Sequence, residues 1–191
     1  MKIDFDVDID MANRDNLLCV LRHVKGSIKR PGGVEKHNTG VYIQPIPHDP
    51  VTGLSNIDHK EADDLGYFKL DVLNNSVYNN IESEQELDKL CNQEPVWELF
   101  GAKEIVEQLF HISNHYDIVS QHQPTNINQL AMILAMIRPG KRHLVGKSWE
   151  DIEKEVWIKG DNDTYSFKKS HAYSYAMAII VQLNKLVSLL D

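Results

Sequence analysis

Cysteine is scarce in this chain, and long apolar runs are missing from it. The two cysteines, Cys19 and Cys91, lie far apart and match no zinc-binding or redox spacing, so we expect free thiols rather than a disulfide. No apolar run reaches the length of a membrane span. The first residues carry acid where a signal peptide carries basic and then apolar residues. These absences predict a cytoplasmic protein with no membrane partner.

Basic residues are also fewer than acidic residues. The chain holds 20 Lys and Arg against 28 Asp and Glu, which gives a formal net charge of −8. A balance of this kind argues against a protein that grips a nucleic-acid backbone over a large surface by itself. Basic residues are nevertheless concentrated in the segment RPGKRHLVGK, residues 138–147. We expect this segment either to contact a phosphate backbone or to form a solvated loop.

The segment IDFDVDID, residues 3–10, combines strict alternation with an unusual density of acid. Its period of two predicts a strand with one apolar face. The side chains of Asp4, Asp6, Asp8 and Asp10 then share the other face, with neighbours about 7 Å apart. One interpretation is a solvated edge strand whose charges discourage aggregation. The other is a site for a hard divalent cation such as Mg²⁺.

A second acidic strand is predicted by LGYFKLDVL, which carries Asp71 in its middle. A lone carboxylate inside an apolar strand is unfavourable unless it has a partner. Placed beside the first strand, Asp71 would complete a three-carboxylate site with two members of the Asp4, Asp6 and Asp8 series. Such a trio holds two Mg²⁺ ions in nucleotidyl transfer. Lys69 shares the face of Asp71, where it would contact a phosphate, pair with the aspartates, or do both.

The pattern along the chain predicts an α+β organisation with two regions, residues 1–82 and 83–191. In the first region we expect three strands, with a short helix that ends at Gly26 and a basic loop between the first two. The third strand is the segment that holds Asp71. In the second region apolar residues recur at helical spacing. The helices expected there are ESEQELDKLCN, PVWELFGAKEIVEQLFHIS, NINQLAMILAMI, SWEDIEKEVWIKG and HAYSYAMAIIVQLNKLVSLL.

Five segments resemble the C-family DNA polymerases, the bacterial DNA polymerase III alpha subunits. IDFDVDIDMANRD resembles the palm motif Pro-Asp-Phe-Asp-Val-Asp-Phe with its later Arg-Asp. HNTGVYI is similar to His-x-x-Gly-Val-Val-Ile, and SNIDHKEADDLGYFKLDVL to Tyr-Asp-Met-Lys-x-x-x-x-Leu-Gly-x-x-Lys-x-Asp-x-Leu. HQPTNINQLAMILAMIRPG resembles the fingers segment that ends in Ala-Leu-x-Arg-Pro-Gly. FKKSHAYSYAM is similar to Phe-Asn-Lys-Ser-His-Ala-Ala-Tyr-Ala, and all five occur in the family's order.

The resemblance implies a fold and a catalytic site. The fold would be a small polymerase-beta-like nucleotidyltransferase palm sheet followed by a helical, fingers-like region. Metal binding is assigned to Asp4, Asp6 and Asp71, with Lys69 as the palm lysine of the catalytic set. The implied cofactor is a pair of Mg²⁺ ions, with Mn²⁺ as a substitute. Asp8 would then be a neighbour on the same face.

The resemblance also implies a nucleotide site and partners. Nucleotide binding is assigned to Lys169, Ser170, His171, Arg138, Arg30 and His37. An alternative for residues 168–171 is a plain helix cap with Ser170 as the capping residue. The implied partners are a nucleoside triphosphate, a DNA primer–template or single-stranded template, and a protein of a replication complex.

Departures from the family leave three functions open. Family members are several times longer and carry a Gly-Ser motif before the first aspartates, a thumb, and a longer fingers section. We therefore expect a reduced palm and fingers, acting as a minimal nucleotidyltransferase, primase-like or part of a split polymerase. The second possibility is an inactive protein that docks on or regulates a replisome. The third is another phosphate reaction at the same metal site, such as nuclease chemistry.

Overall fold

The computed structural model describes residues 6–158 and 167–189, with Asp6 described by its backbone alone. Contacts divide the chain after Asn80 into two compact units, Met1–Asn80 and Ile81–Asp191. The sequence pattern placed the boundary after residue 82. The fold is α+β, with one five-stranded mixed sheet in the first unit and helices in the second.

The sheet of the first unit has the order β1-β5-β3-β2-β4. β1 pairs with β5 in parallel, β5 and β2 each pair antiparallel with β3, and β2 pairs with β4 in parallel. The edges of the described sheet are therefore β1 and β4. The elements are β1 (Asp6–Met11), α1 (Arg14–Val20), β2 (Val24–Arg30), β3 (Gly33–Tyr42), β4 (Leu54–Asp58), α2 (His59–Asp64) and β5 (Lys69–Asn74).

In the described structure α1 packs on one face of this sheet and α2 on the other. Neighbouring residues of a strand point to opposite faces, so the residue number decides which helix a side chain meets. Val41 lies on the face that packs with Leu70, Val72 and the leucines of α1. Tyr42 lies on the opposite face, where it packs with Ala62 of α2. Asp71 pairs directly with Gly40, two residues before Tyr42, so its carboxylate is on the α2 face. The position of Asp71 thus follows from the register of β3 and β5.

Three of the five strands differ from the sequence-based prediction, because β2 and β4 were not predicted and β3 begins within the segment expected to be a basic loop. The segment around Gly26 was expected to end a helix and enter a loop, but α1 ends at Val20 and Gly26 lies inside β2. β2 and β3 form a hairpin whose tip is exposed, so its residues lack the apolar alternation by which a strand is recognised. β4 was missed because its residues, LSNID, do not alternate between apolar and polar.

The second unit is organised around two buried helices. Seven consecutive residues of α6, Leu130 to Met136, are buried, and α8 packs against α6 with Ala172 and Ala176 in the same core. Small side chains permit this close approach of two helix backbones. The α-helices are α3 (Glu84–Asn92), α4 (Lys103–Val106), α5 (Tyr116–His122), α6 (Ile127–Met136), α7 (Trp149–Glu155) and α8 (Lys169–Ser188).

Side chains cap the N-termini of α3, α6 and α7. Ser148 caps α7 and accepts a hydrogen bond from the Asp151 backbone N–H, as the first residue of a capping box does. The single helix expected over PVWELFGAKEIVEQLFHIS is wrong. It is interrupted after a short 3₁₀ segment, Trp97–Gly101, and resumes as the four-residue α4. Within residues 6–158 and 167–189, no helix combines the length and apolar content that crossing a bilayer requires.

Candidate functional site

Asp8 and Asp71 occupy paired positions on the neighbouring parallel strands β1 and β5. Neighbouring strands lie about 4.8 Å apart, and paired residues point to the same face. The same register places Asp6 beside Lys69. The predicted juxtaposition of the first strand with Asp71 is thus present in the fold. Two carboxylates this close repel each other, and a nearby cation reduces that repulsion.

Asp71 is held by two side chains on the α2 face. Its side chain is 11% exposed, and Lys69 Nζ donates a hydrogen bond to Oδ2. The hydroxyl of Thr39 donates to Oδ1 at 2.6 Å. The alternative in which Lys69 pairs with an aspartate is therefore present in this structure. A carboxylate with both oxygens bonded has a fixed orientation, which is a requirement for a binding or catalytic group.

Gly40 creates the space in which these groups meet. A Cβ atom at this position would lie 2.8 Å from Lys69 Cδ and 2.9 Å from His37 Nδ1, closer than side-chain atoms approach. Gly26 has a similar role on the neighbouring strand, where a Cβ atom would lie 3.0 Å from the Gly40 carbonyl oxygen. A register shift between Lys25 and Ser27 marks the same place. Both glycines therefore bring the backbone close to the site.

His37 belongs to the same cluster, and its tautomer follows from its contacts. The Nδ1 atom accepts hydrogen bonds from the backbone N–H of Gly40 at 2.8 Å and of Thr39 at 3.3 Å. A nitrogen that accepts carries no proton, so in the neutral ring the proton is on Nε2. The Nδ1 atom also lies 3.8 Å from Asp71 Oδ1, which is beyond hydrogen-bond distance. His37 is thus a hydrogen-bond donor through Nε2.

A second imidazole, which the sequence did not single out, lies against His37. The ring centroids of His37 and His59 are 5.1 Å apart, with the planes inclined by 60°. His59 Nδ1 lies 3.6 Å from Asp58 Oδ1. Backbone N–H groups of Lys29 and Lys60 donate to Asp58, and these bonds hold the pKa of its carboxyl below the usual range. No sequence pattern identifies His59, because β4 was not predicted.

Tyr42 is the buried neighbour of this acidic face. Burial, together with the negative charges of Asp58, Asp63 and Asp71, raises its pKa to about 12. The ring is 1% exposed, and its hydroxyl has no hydrogen-bond partner among the residues that the structure describes. The phenol therefore remains protonated, and its potential as a hydrogen-bond donor is unused in the described contacts.

The donor types in the cluster fit Mg²⁺, which prefers carboxylate oxygens. Asp8 and Asp71 supply two such carboxylates from neighbouring strands. Of the predicted metal ligands, Asp4 and the side chain of Asp6 lie outside the described residues. Within the described part of the chain, no group of three or more His, Cys, Asp or Glu side chains is placed to hold a metal. Asp10 accepts a hydrogen bond from the buried Asn75 instead.

Arg30 lies away from this cluster, at the tip of the β2–β3 hairpin. It pairs in register with Gly33, and its Nε lies 3.6 Å from Glu35 Oε2 on an exposed surface. Gly40 lies seven positions after Gly33 in β3, which corresponds to about 23 Å of strand. The β2–β3 pairing therefore does not bring Arg30 to Asp71, whereas His37 Nδ1 lies 3.8 Å from Asp71 Oδ1.

In the second unit, predicted nucleotide-binding residues lie beside aromatic rings. The guanidinium carbon of Arg138 is 4.7 Å from the ring centroid of Phe167, and the ring of His171 is 6.5 Å from the same ring. Lys169 Nζ lies 5.7 Å from the ring centroids of Trp157 and Tyr173. Cations over aromatic faces are held in place while their charge stays available to a ligand. Arg138 Nε is buried without a hydrogen-bond partner in the described structure.

The sequence left simpler interpretations open for two basic segments, a helix cap at residues 168–171 and a solvated loop at residues 138–147. The alternative in which Ser170 caps α8 is wrong, because the N-cap is Lys168 and Ser170 lies in the first turn. In the segment 138–147, Lys141 donates to backbone carbonyls of Glu155 and Ile158, and Lys147 pairs with Glu155 at 2.9 Å. These two lysines therefore stabilise the end of α7.

Comparisons with protein-family models, with curated proteins and with solved structures found no match to this chain.

Proposed function

We propose that the chain is a reduced polymerase-like nucleotidyltransferase, which extends a nucleic-acid strand with nucleoside triphosphates in a Mg²⁺-dependent reaction. The observation that carries the proposal is the register of Asp8 with Asp71 on adjacent parallel strands. Converging carboxylates lower the stability of a fold when no cation is bound, so a purely structural sheet has no need of them. Their presence beside a positioned lysine and imidazole supports a phosphate-handling site.

Each described side chain of the cluster has a task in this proposal. Asp8 and Asp71 would hold the metal, together with one or two of the preceding aspartates. When bound, the metal ions supply activation of a 3′-hydroxyl and stabilisation of the departing pyrophosphate. Thr39 fixes the orientation of the Asp71 carboxylate. Lys69 offsets the repulsion between the carboxylates, and the Nε2–H of His37 would donate to a phosphate oxygen.

The second unit carries its own candidate nucleotide-binding residues. Arg138, Lys169 and His171 present cationic or donor groups beside aromatic rings. Such groups bind a triphosphate by charge and a base by stacking. The proposed partners remain a nucleoside triphosphate, a primer–template or single-stranded template, and a protein of a replication complex.

One observation favours a second candidate, a protein that keeps the fold but acts by docking on a replication protein. Lys69 and Thr39 already bond both oxygens of Asp71. A carboxylate satisfied in this way has less need of a cation. The two candidates therefore differ in whether Mg²⁺ displaces Lys69 from Asp71.

The deciding experiment measures incorporation of labelled nucleotides by the purified chain on primed and unprimed templates, with and without Mg²⁺. Asp8→Asn and Asp71→Asn each remove one proposed ligand. Asp10→Asn is the matched control, because it makes the same change on the same strand. Calorimetric titration with Mg²⁺ runs in parallel, so that metal binding is scored separately from turnover.

We expect incorporation that falls at least a hundredfold in Asp8→Asn and Asp71→Asn and stays within twofold in Asp10→Asn. A preference for the primed template would indicate a polymerase, and equal use of both a primase-like activity. Mg²⁺ binding without incorporation would indicate a missing partner subunit. Absence of both binding and incorporation would refute the enzyme proposal in favour of docking.

A further inference from the structure

His59 begins α2 and has an environment that a plain surface histidine lacks. Its side chain is 23% exposed, and its Nδ1 atom is buried without a hydrogen-bond partner in the described structure. The imidazole packs against His37, whose Nδ1 atom lies 3.8 Å from Asp71 Oδ1.

The Asp58 carboxylate lies beside His59 and is itself held in place. The Asp58 carboxylate caps α2 by accepting from Lys60 N–H at 2.9 Å, and it accepts from Lys29 N–H on β2 at 2.8 Å. Two backbone hydrogen bonds from different elements leave this carboxylate little freedom. Its Oδ1 atom lies 3.6 Å from His59 Nδ1, so the negative charge faces the polar edge of the ring.

The other side of His59 packs on His37. With ring centroids 5.1 Å apart and planes at 60°, the edge of one ring meets the face of the other. This contact restricts rotation of the His37 ring, whose Nδ1 accepts from Gly40 N–H. Restricting that rotation keeps Nε2 as the donor nitrogen and keeps its direction constant.

We propose that His59 is a positioning residue, which holds the His37 ring so that its Nε2–H donates to a phosphate oxygen of the substrate. The part of this inference that concerns the phosphate rests on the proposed nucleotidyl transfer. The part that concerns the His37 ring stands independently of it. Asp58, His59 and His37 then form one supporting series of contacts from the cap of α2 to the site.

The first test uses side-chain ¹H–¹⁵N spectra of the full chain at pH 7.5. In the wild type we expect His37 as the Nε2–H tautomer with Nδ1 as acceptor. In His59→Ala we expect the His37 nitrogen signals to shift toward a mixture of tautomers, with exchange of the Gly40 amide proton about tenfold faster. His59→Phe keeps a ring against His37 and should retain the wild-type tautomer. His48→Ala, which removes another histidine of the same unit, is the control and should change neither signal.

The second test compares nucleotide kinetics in the same variants. We expect His59→Ala to raise KM for the nucleotide about tenfold with kcat changed less than threefold, and His59→Phe to recover most of the loss. An unchanged His37 spectrum and Gly40 exchange in His59→Ala would overturn the inference. A kinetic loss without a spectral change would overturn it too, because His59 would then act by another route. If the wild type neither binds Mg²⁺ nor incorporates nucleotide, the proposed function fails, and the spectra still decide the role of His59.

Discussion

Gly40 and Asp71 are paired residues on the antiparallel strands β3 and β5, and the missing side chain of one makes room for the contacts of the other. The space beside the Asp71 carboxylate is filled by Lys69 and His37, both within 3 Å of the position where a Cβ atom of residue 40 would lie. A single methyl group at Gly40 would compete with both side chains at once.

We predict that Gly40→Ala destabilises the first unit by about 2 kcal/mol, because the added atom overpacks the cluster. It should also abolish most of the proposed activity, since Lys69 and His37 cannot both keep their contacts. Urea denaturation and nucleotide incorporation measure the two effects. Gly32→Ala is the control, because a Cβ atom there meets nothing within 4 Å. Equal behaviour of the two variants would contradict the steric argument.

The Tyr42 hydroxyl, which has no hydrogen-bond partner in the part of the chain that the structure describes, leads to a prediction of opposite sign. An unsatisfied buried polar group lowers stability by about 1–3 kcal/mol. Tyr42→Phe keeps the ring in its packing with Ala62 and removes only the hydroxyl. We expect the free energy of unfolding to rise by about 1 kcal/mol in chemical denaturation. A loss of stability would mean that the hydroxyl is hydrogen-bonded in solution.

The centre of the site was predictable from sequence because two short-range patterns meet there. Alternation located β1, and a lone acid in an apolar run located Asp71 on β5. Neither pattern specifies which residues of the two strands are paired, so the sequence left several aspartates as possible neighbours of Asp71. The register selects Asp8 as the paired residue, whereas the resemblance assigned the metal to Asp4 and Asp6. The latter assignment stays a prediction.

The rest of the site depends on long-range contacts that no local pattern records. His59 reaches His37 only because β4 joins β2 in parallel and α2 follows directly on β4. The β2–β3 hairpin is largely exposed and charged, so its strand character comes from pairing rather than from apolar alternation. In the second unit, Gly101 lies where the continuous helical pattern is broken, and periodicity alone gave no signal of that break.

His122 gives the second unit a predictable dependence on pH. Its Nε2 accepts from Gly146 N–H at 3.0 Å, which requires an unprotonated nitrogen, and burial lowers its pKa. The unfolded chain, with a pKa of about 6.5, therefore takes up the proton first as pH falls. The contribution of His122 to the free energy of unfolding is complete above about pH 6.5 and is lost progressively as pH falls toward the pKa of the folded state.

Urea midpoints at pH 7.5 and 5.0 measure this contribution in the wild type and in His122→Gln. The amide oxygen of Gln accepts a hydrogen bond at both pH values, so the variant lacks the pH-dependent part. We expect the wild type to lose more stability than the variant between the two pH values. Equal losses would assign the pH dependence to other groups.

Lys141 provides a test of whether the basic segment 138–147 serves the fold. Its ammonium group donates to the backbone carbonyls of Glu155 and Ile158, at 3.0 and 2.6 Å, where α7 ends. A cation at this end stabilises unpaired carbonyls and interacts favourably with the helix dipole. We therefore expect Lys141→Met, which keeps the length of the side chain, to destabilise the second unit by about 1–2 kcal/mol.

Arg142→Met is the matched control, because it removes a neighbouring exposed cation of the same segment. Its stability should stay within about 0.5 kcal/mol of the wild type, as is usual for surface substitutions. Chemical denaturation at constant ionic strength measures both variants. If Lys141→Met and Arg142→Met unfold alike and both weaken template binding, the basic segment contacts the nucleic acid. If only Lys141→Met is destabilised, Lys141 acts as a C-terminal cap of α7.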